Sequence, residues 1–256
     1  MRSGYFKETI SEQINLSDSG LVRGWIVVLA LACLAAPLML SPFYLGLLTI
    51  LLITLIGALG LNVLTGWTGL ISLGHAGFMV LGAYAYAIPT EIWGLDPLIG
   101  FALAGIVPAI ASIVVGIPSL RLTGLYLAIT TLAFSFIVNH LILEFDDLTR
   151  GARGIFVNRP TVLGISIASD AALAYLCLFI ATLVLLGTLN LRRSRIGRAF
   201  VAVRDNDTAA RVMGVDLRAF KLYAFMTSSF IIGISGALFG IFLSFVTIDG
   251  FPFLLS

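Results

Sequence analysis

The chain has little charge and few residues suited to catalysis or metal binding. Only 11% of its 256 residues are Asp, Glu, Lys or Arg, and it contains two cysteines and two histidines. No His/Cys/Asp/Glu cluster has zinc-ligand spacing, and no GxxxxGK[ST] phosphate loop occurs. These absences argue against a zinc enzyme and a P-loop ATPase. We expect no cofactor, no metal site, no enzymatic activity and no nucleic-acid partner.

Apolar sequence is what the chain has in abundance. Its residues are 59% hydrophobic, with a mean hydropathy of +1.08. A soluble protein of this composition would expose patches large enough to aggregate, whereas repeated apolar runs near twenty residues are typical of helices in a lipid bilayer. We expect Cys33 and Cys177, both in apolar runs, to be small buried or lipid-facing residues rather than a disulfide. The predicted fold is an all-α, polytopic membrane bundle.

Seven transmembrane helices are predicted, each long enough for a hydrocarbon core of about 30 Å. They cover residues 24–40, 44–64, 74–91, 95–117, 126–143, 171–191 and 222–247. The chain then divides into a polar N-terminal segment, residues 1–23, and a transmembrane domain, residues 24–256. An odd number of spans leaves the apolar end, residues 253–256, on the outer side, so we expect a C-terminally truncated chain.

Positive charge is concentrated in one segment. Residues 192–221, which we name the basic segment, hold eight of the fifteen Lys and Arg residues. The positive-inside bias predicts that this segment is cytoplasmic. Six preceding spans then place the N-terminus in the cytoplasm as well. The outer side retains only Arg150, Arg153 and Arg159, against twelve Lys and Arg residues inside, which supports the seven-span topology.

A glycine-rich stretch interrupts the apolar pattern. Residues 57–82 contain seven glycines with polar residues between them. Non-helical backbone in a membrane is tolerated where protein or water surrounds it, and broken helices often line transport paths. One interpretation is therefore a broken element beside a translocation pathway. The other is close helix packing with an ordinary cytoplasmic turn at residues 66–72. The candidate pathway residues are Asn62, Gly66, Gly69, Gly74 and His75.

Two of these candidates also have simpler explanations. His75 has no obvious partner nearby in sequence, so we expect a structural, helix-capping histidine rather than a proton relay or gate. Asn62 is expected to make an interhelical hydrogen bond rather than to contact a substrate.

The basic segment contains a short predicted helix. Asp205 or Asn206 can cap its N-terminus, and Asp207 lies in its first turn with Arg211 four residues on, in the favourable order for an ion pair. Gly214 follows as a C-terminal stop residue.

This helix should be a docking element. Ala209, Ala210 and Met213 would give it a small apolar face. Because a helix of about two turns is marginal alone in water, it must gain stability by packing. It could lie against its own bundle, but we favour insertion into a groove of a partner protein.

Four blocks of the sequence resemble, in order, the permease of high-affinity branched-chain amino-acid ABC transporters. They read GLNVLTGWTGLISLGHAGFMVLGAY, LRLTGLYLAITTLAF, LTRGARGI and SRIGRAFVAVRDNDTAARVMGVDLRAFKLYAF, within residues 45–256. The resemblance implies a multi-pass protein of the bacterial inner membrane. It also implies three kinds of partner: cytoplasmic ABC ATPase subunits, a homologous second permease, and a periplasmic substrate-binding protein that delivers leucine, isoleucine or valine.

The resemblance also implies an ATPase-coupling site in the basic segment. Ala209, Ala210 and Gly214 match the family's Ala-Ala-x-x-x-Gly pattern, whereas Thr208 stands where that motif usually begins with Glu. The coupling residues implied are Arg204, Asp205, Asn206, Asp207, Ala209, Ala210 and Gly214.

Other functions stay open from the sequence. A related permease for urea or short amides would share these motifs. A stand-alone carrier or channel for a small neutral solute would not need the ATPase. No acidic residue lies in the interior of a predicted span to couple ions, because Glu91 and Asp96 fall at span ends. A membrane enzyme using His75 as a base is disfavoured, because no second catalytic group lies at a helical spacing from it.

Overall fold

The computed structural model describes residues 20–119, 124–162 and 165–251. Most of the predicted polar N-terminal segment and the whole predicted apolar end, residues 253–256, lie outside the described residues. The α-helices, in chain order, are α1 (Gly20–Met39), α2 (Pro42–Leu61), α3 (His75–Ala87), α4 (Pro97–Ser119), α5 (Leu125–Glu144), α6 (Asp146–Thr149), α7 (Asp170–Arg193), α8 (Arg195–Asp205), α9 (Asp207–Val212) and α10 (Leu217–Leu243).

Short elements of other types complete the fold. α2 and α3 continue into π-helical turns, Asn62–Trp67 and Ile88–Ile92. Single 3-10 turns form at Gly151–Arg153 and Ile248–Gly250. Four two-residue strands, none of them predicted, form two antiparallel pairs. They are β1 (Ile155–Phe156) with β4 (Phe245–Val246), and β2 (Thr161–Val162) with β3 (Ile165–Ser166).

The protein is helical and polytopic, as the composition predicts. In the described part of the chain, five helices are long and apolar enough to cross a membrane. These are Pro42–Trp67, Pro97–Ile117, Leu125–Glu144, Asp170–Arg193 and Leu217–Leu243. The apolar helix Gly24–Met39 is shorter. α3 is also shorter, and it packs against α4, α5 and α10, so its polar residues face protein rather than lipid.

α10 is the central helix of the bundle. It packs against α2, α3 and α4, and 61% of its most apolar stretch is buried. α7 lies against α2 and also touches α10, and α1 packs against α7.

Glycines allow the central helices to approach closely. A β-carbon added at Gly82 of α3 would overlap the backbone of Gly233 on α10, and one at Gly236 would overlap the backbone of Met79. Helices in a membrane pack through such small residues because lipid offers no hydrophobic force to drive them together. The packing interpretation of the glycine-rich stretch therefore holds for Gly82.

The connections gather at two ends of the bundle. At one end, α8 lies beside the π-helical turn of α2, α9 packs against α8, and Arg204 contacts Gly66. At the other end, β1 pairs with β4 and Asn158 contacts Glu91. The basic segment and the glycine-rich connection thus share one end.

Candidate functional site

The basic segment forms two helices rather than the single short one predicted. Ser194 ends α7 and caps α8, its hydroxyl accepting a hydrogen bond from the Gly197 amide at 3.2 Å. Phe200 on α8 is fully buried and meets Phe220 of α10 edge-on, with ring centroids 6.4 Å apart. α8 is therefore anchored to the transmembrane part of the bundle through an apolar face that includes Val203.

α9 has the stop signals that the sequence predicts. Of the two possible caps, Asn206 takes the position: its Oδ1 accepts the Ala209 amide at 2.9 Å. At the other end, the Gly214 amide donates to the Arg211 carbonyl and the Val215 amide to the Ala210 carbonyl, each at 3.0 Å. Gly214 has φ +84°, a conformation that glycine adopts without steric cost and that lets the helix end in this hydrogen-bond pattern.

The face that α9 exposes differs from the prediction. Ala210 is only 4% exposed and packs with Val203 and Leu217, so it does not belong to an exposed apolar face. That face is formed instead by Ala209 with Val212 and Met213, the last two being 83% and 84% exposed. Placing Ala210 in it was wrong, because Val203 of α8 and Leu217 of α10 cover this position.

The ion pair of α9 also differs from the prediction. Asp207 does not pair with Arg211. Its carboxylate lies 2.8 Å from the ammonium of Lys221, whose side chain is 12% exposed. Lys221 belongs to the first turns of α10, so the pair ties α9 to a helix of the bundle. Asp205, by contrast, is exposed and lies 3.9 Å from the guanidinium of Arg204.

Arg204 joins the two segments that the sequence singles out. From the C-terminal turn of α8, its guanidinium donates to the Gly66 carbonyl at 2.7 Å. The aliphatic part of the side chain lies over Gly69, where an added β-carbon would be 3.1 Å from Cγ. Gly69 has φ +68°, a left-handed conformation that ends the helical chain after the π-helical turn Asn62–Trp67. This contact spans 138 residues of sequence and connects the basic segment directly to the break between α2 and α3.

The break itself is held in place by α5. Residues 69–74 are non-helical. The Leu73 amide donates to the Thr131 hydroxyl at 2.9 Å. Gly74 lies so close that an added β-carbon would be 2.8 Å from the Thr131 carbonyl oxygen. The connection is thus packed against protein, as non-helical backbone in a membrane protein requires.

His75 and Asn62 do not behave as predicted. His75 is the first residue of α3 and does not cap it. Gly74 occupies the cap position, without a side-chain hydrogen bond. The imidazole is 6% exposed and its Nδ1 has no hydrogen-bond partner. Nε2 lies against Gly57, where an added β-carbon would be 3.1 Å away. Asn62 is exposed, and its amide folds over Gly66 of the same helical segment rather than reaching another helix.

The comparisons with known proteins agree with the sequence motifs. A sequence-family model described as "Branched-chain amino acid transport system / permease component" matches residues 43–256. The chain belongs to this family. The family is one of transport permease components and not of enzymes. No solved structure matches the chain.

The relatives carry names of the same kind. The chain is 33% identical to the high-affinity branched-chain amino acid transport system permease protein LivM of Escherichia coli K12, over 90% of this chain and 60% of the relative. It is 34% identical to the protein of the same name from Salmonella typhimurium, over 92% and 62%. A probable branched-chain amino acid transport permease protein LivM of Methanocaldococcus jannaschii is 28% identical, over 78% and 63%. The chain thus spans about three fifths of the length of the curated relatives it matches.

Proposed function

We propose that the chain contributes the translocation pathway of an ABC importer for branched-chain amino acids in the bacterial inner membrane. Separate cytoplasmic ATPase subunits drive it, a homologous second permease pairs with it, and a periplasmic binding protein supplies the amino acid. Family membership and the names of the relatives support the substrate class and the partners.

The orientation we propose has seven crossings with the N-terminus and the basic segment in the cytoplasm. α1 and α3 would cross in addition to the five longer helices. This topology is supported by the arrangement of the connections: residues 62–74 and the basic segment share one end, while the β1–β4 pair lies at the other. Arg192, Arg193, Arg195 and Arg198 add positive charge at the first of these ends.

The coupling site that we propose is the exposed face of α9 with its support from α8. The observation that carries this proposal is the pair of apolar side chains, Val212 and Met213, that α9 exposes at the basic end. The helix is capped at both ends and tied to α10 by Asp207 and Lys221, so a force applied to it reaches the bundle. An apolar face held rigidly at the cytoplasmic surface is suited to the groove of a partner protein.

Arg204 provides a route from this site to the transport path. A displacement of α8 and α9 would pull on Gly66 and so on the π-helical end of α2. Single π-helical turns inside helices are strained elements that occur at functional sites. The break at residues 69–74 can absorb the movement at the entrance to α3, where His75 and Gly74 lie. Of the remaining pathway candidates, Gly69 is the first residue of this break, and Asn62 begins the π-helical turn that precedes it.

A reconstituted complex tests the coupling site. Val212→Glu places a charge on the exposed face, and we expect it to insert and fold normally while abolishing ATP-driven leucine uptake. Ala210→Glu is a poor test of docking, because Ala210 is buried against Val203 and Leu217, and the charge would destabilise α8 and α9 themselves. Arg198→Glu serves as the matched control: it changes an exposed side chain of α8, outside the face that α9 exposes.

Full ATP-driven uptake in a well-expressed Val212→Glu protein would contradict the proposed coupling site. Leucine flux through this chain alone in liposomes, indifferent to ATP, would contradict the importer and favour a stand-alone carrier. Uptake of labelled urea in preference to leucine would contradict the substrate class.

A further inference from the structure

A polar pocket lies at the end of the bundle opposite the basic segment. It follows α5, has a volume of about 440 Å³, and is formed by α6, the 3-10 turn after it and β1. Its lining includes two acidic and two basic side chains, Asp146, Asp147, Arg150 and Arg153, with Phe156 at its edge. The volume is at the lower end of the range found for small-ligand sites.

The two acidic and two basic side chains of the pocket form no ion pairs with one another. Among the described residues, neither carboxylate forms a salt bridge or a side-chain hydrogen bond with Arg150 or Arg153, although all four face one pocket. Arg159, close by in the same connection, does pair with Asp170. Opposite charges that line a cavity without meeting leave room for a ligand that carries both charges.

The backbone beneath the pocket is fixed. Thr149 is buried, and its hydroxyl donates to the carbonyls of Ile142 and Phe145, at 2.5 and 2.9 Å, and accepts from the Gly151 amide at 3.1 Å. Arg150 has φ +59°, a left-handed conformation that a non-glycine residue rarely adopts. The next element, β1, is paired with β4 at the end of α10. The arginines therefore project from a turn that is tied both to α5 and to α10.

We propose that this pocket binds the zwitterionic group of a free amino acid. Asp146 and Asp147 would hold the ammonium group, while Arg150 and Arg153 would hold the carboxylate, for which the guanidinium geometry is well suited. The ring of Phe156 is 73% exposed and rests on Phe245 with centroids 4.8 Å apart, so it offers an apolar surface to an aliphatic side chain. The choice of a branched-chain amino acid as ligand rests on the proposed function.

The affinity of such a site is expected to be low. All four charged residues are exposed, and ion pairs in water contribute little. Low affinity suits a site from which a transported solute has to leave. The outer surface could instead receive a binding protein, but a concave pocket with both signs of charge fits a small zwitterion better than the flat, extended contact of two proteins.

Direct binding to this chain in lipid nanodiscs tests the proposal, with saturation-transfer NMR as the readout. The probes are leucine, leucinamide, which lacks the carboxylate, and 4-methylpentanoate, which lacks the ammonium group. We expect leucine to bind at millimolar concentration and each analogue to bind about fivefold more weakly. A fivefold loss of affinity is about the upper end of what an exposed ion pair contributes. Arg153→Gln and Asp147→Asn should each weaken leucine binding to a similar extent. Arg159→Gln, an arginine of the same connection paired with Asp170, should not.

The outcomes separate this site from the proposed function. Equal binding of the three probes, or unchanged leucine binding in both pocket variants, would overturn the site even if the complete importer takes up leucine. Variants that bind leucine normally but raise the concentration of loaded binding protein needed for uptake would also overturn it, and would identify a protein-docking surface. Binding that follows the expected pattern, in a complex that transports no leucine, would support the site and count against the proposed function.

Discussion

Removing the guanidinium of Arg204 is expected to weaken coupling without unfolding the protein. Arg204→Leu keeps an aliphatic stem over Gly69 but deletes the donor to the Gly66 carbonyl, which lies 2.7 Å away. A hydrogen bond from a charged donor contributes about 1.5–3 kcal/mol. The side chain is 54% exposed, so solvent screening reduces this to about 1 kcal/mol. If the contact must hold while α9 moves, about 1 kcal/mol corresponds to roughly a fivefold loss in leucine transported per ATP hydrolysed.

The assay for this prediction is the ratio of labelled leucine uptake to phosphate release in proteoliposomes. The control is Arg198→Leu, which removes an arginine of the same helix that donates to the Arg193 carbonyl rather than to the α2–α3 break. We expect the ratio to fall for Arg204→Leu and to stay at the wild-type value for the control. A wild-type ratio in Arg204→Leu, or the same loss in both variants, would refute the contact as a route of coupling.

Two further predictions concern the scaffold. Gly82→Val places side-chain atoms in the backbone of Gly233, so we expect little monodisperse protein in detergent chromatography. Gly187→Val, at a site where nothing lies within 4 Å of an added β-carbon, should behave as wild type, and equal yields would contradict the close helix approach. Asn206→Ala removes the cap of α9 and should cost about 1 kcal/mol, accelerating amide exchange of α9 about fivefold. Unchanged exchange in α9 would show that the cap contributes nothing to its stability.

The helices were predictable from sequence because their causes are local. Apolar runs of membrane length fall on helices in the described residues, and α9 begins at Asn206 and ends before Gly214 as capping chemistry requires. The glycine-rich stretch also has local causes. Gly69 ends the helical chain, and Gly82 permits close approach.

The remaining features depend on contacts that are distant in sequence. The sequence did not predict α8. This helix is amphipathic and basic, and its apolar residue Phe200 has a packing partner only when α10 folds beside it. Ala210 is buried for a similar reason: Val203 and Leu217 cover it. The contact of Arg204 with Gly66 joins two segments that are individually recognisable but carry no sequence signal that they meet.

The β1–β4 pair could not be predicted from the sequence either. Its two strands have two residues each and lie 90 positions apart, at Ile155 and Phe245. Segments this short give no alternating pattern, so the strands meet only because α5 and α10 both pack against α3.

Photo-crosslinking from the exposed face of α9 tests the central claim most directly. Met213→Cys, carrying a benzophenone label, places the probe on a side chain that is 84% exposed in the native helix. In native membranes we predict a specific adduct with a nucleotide-hydrolysing subunit, formed only when that subunit is co-expressed. Modification of the unlabelled thiol of Met213→Cys by a membrane-impermeant maleimide added from the outer side would contradict the account. The absence of an adduct between the labelled protein and such a subunit would contradict it as well.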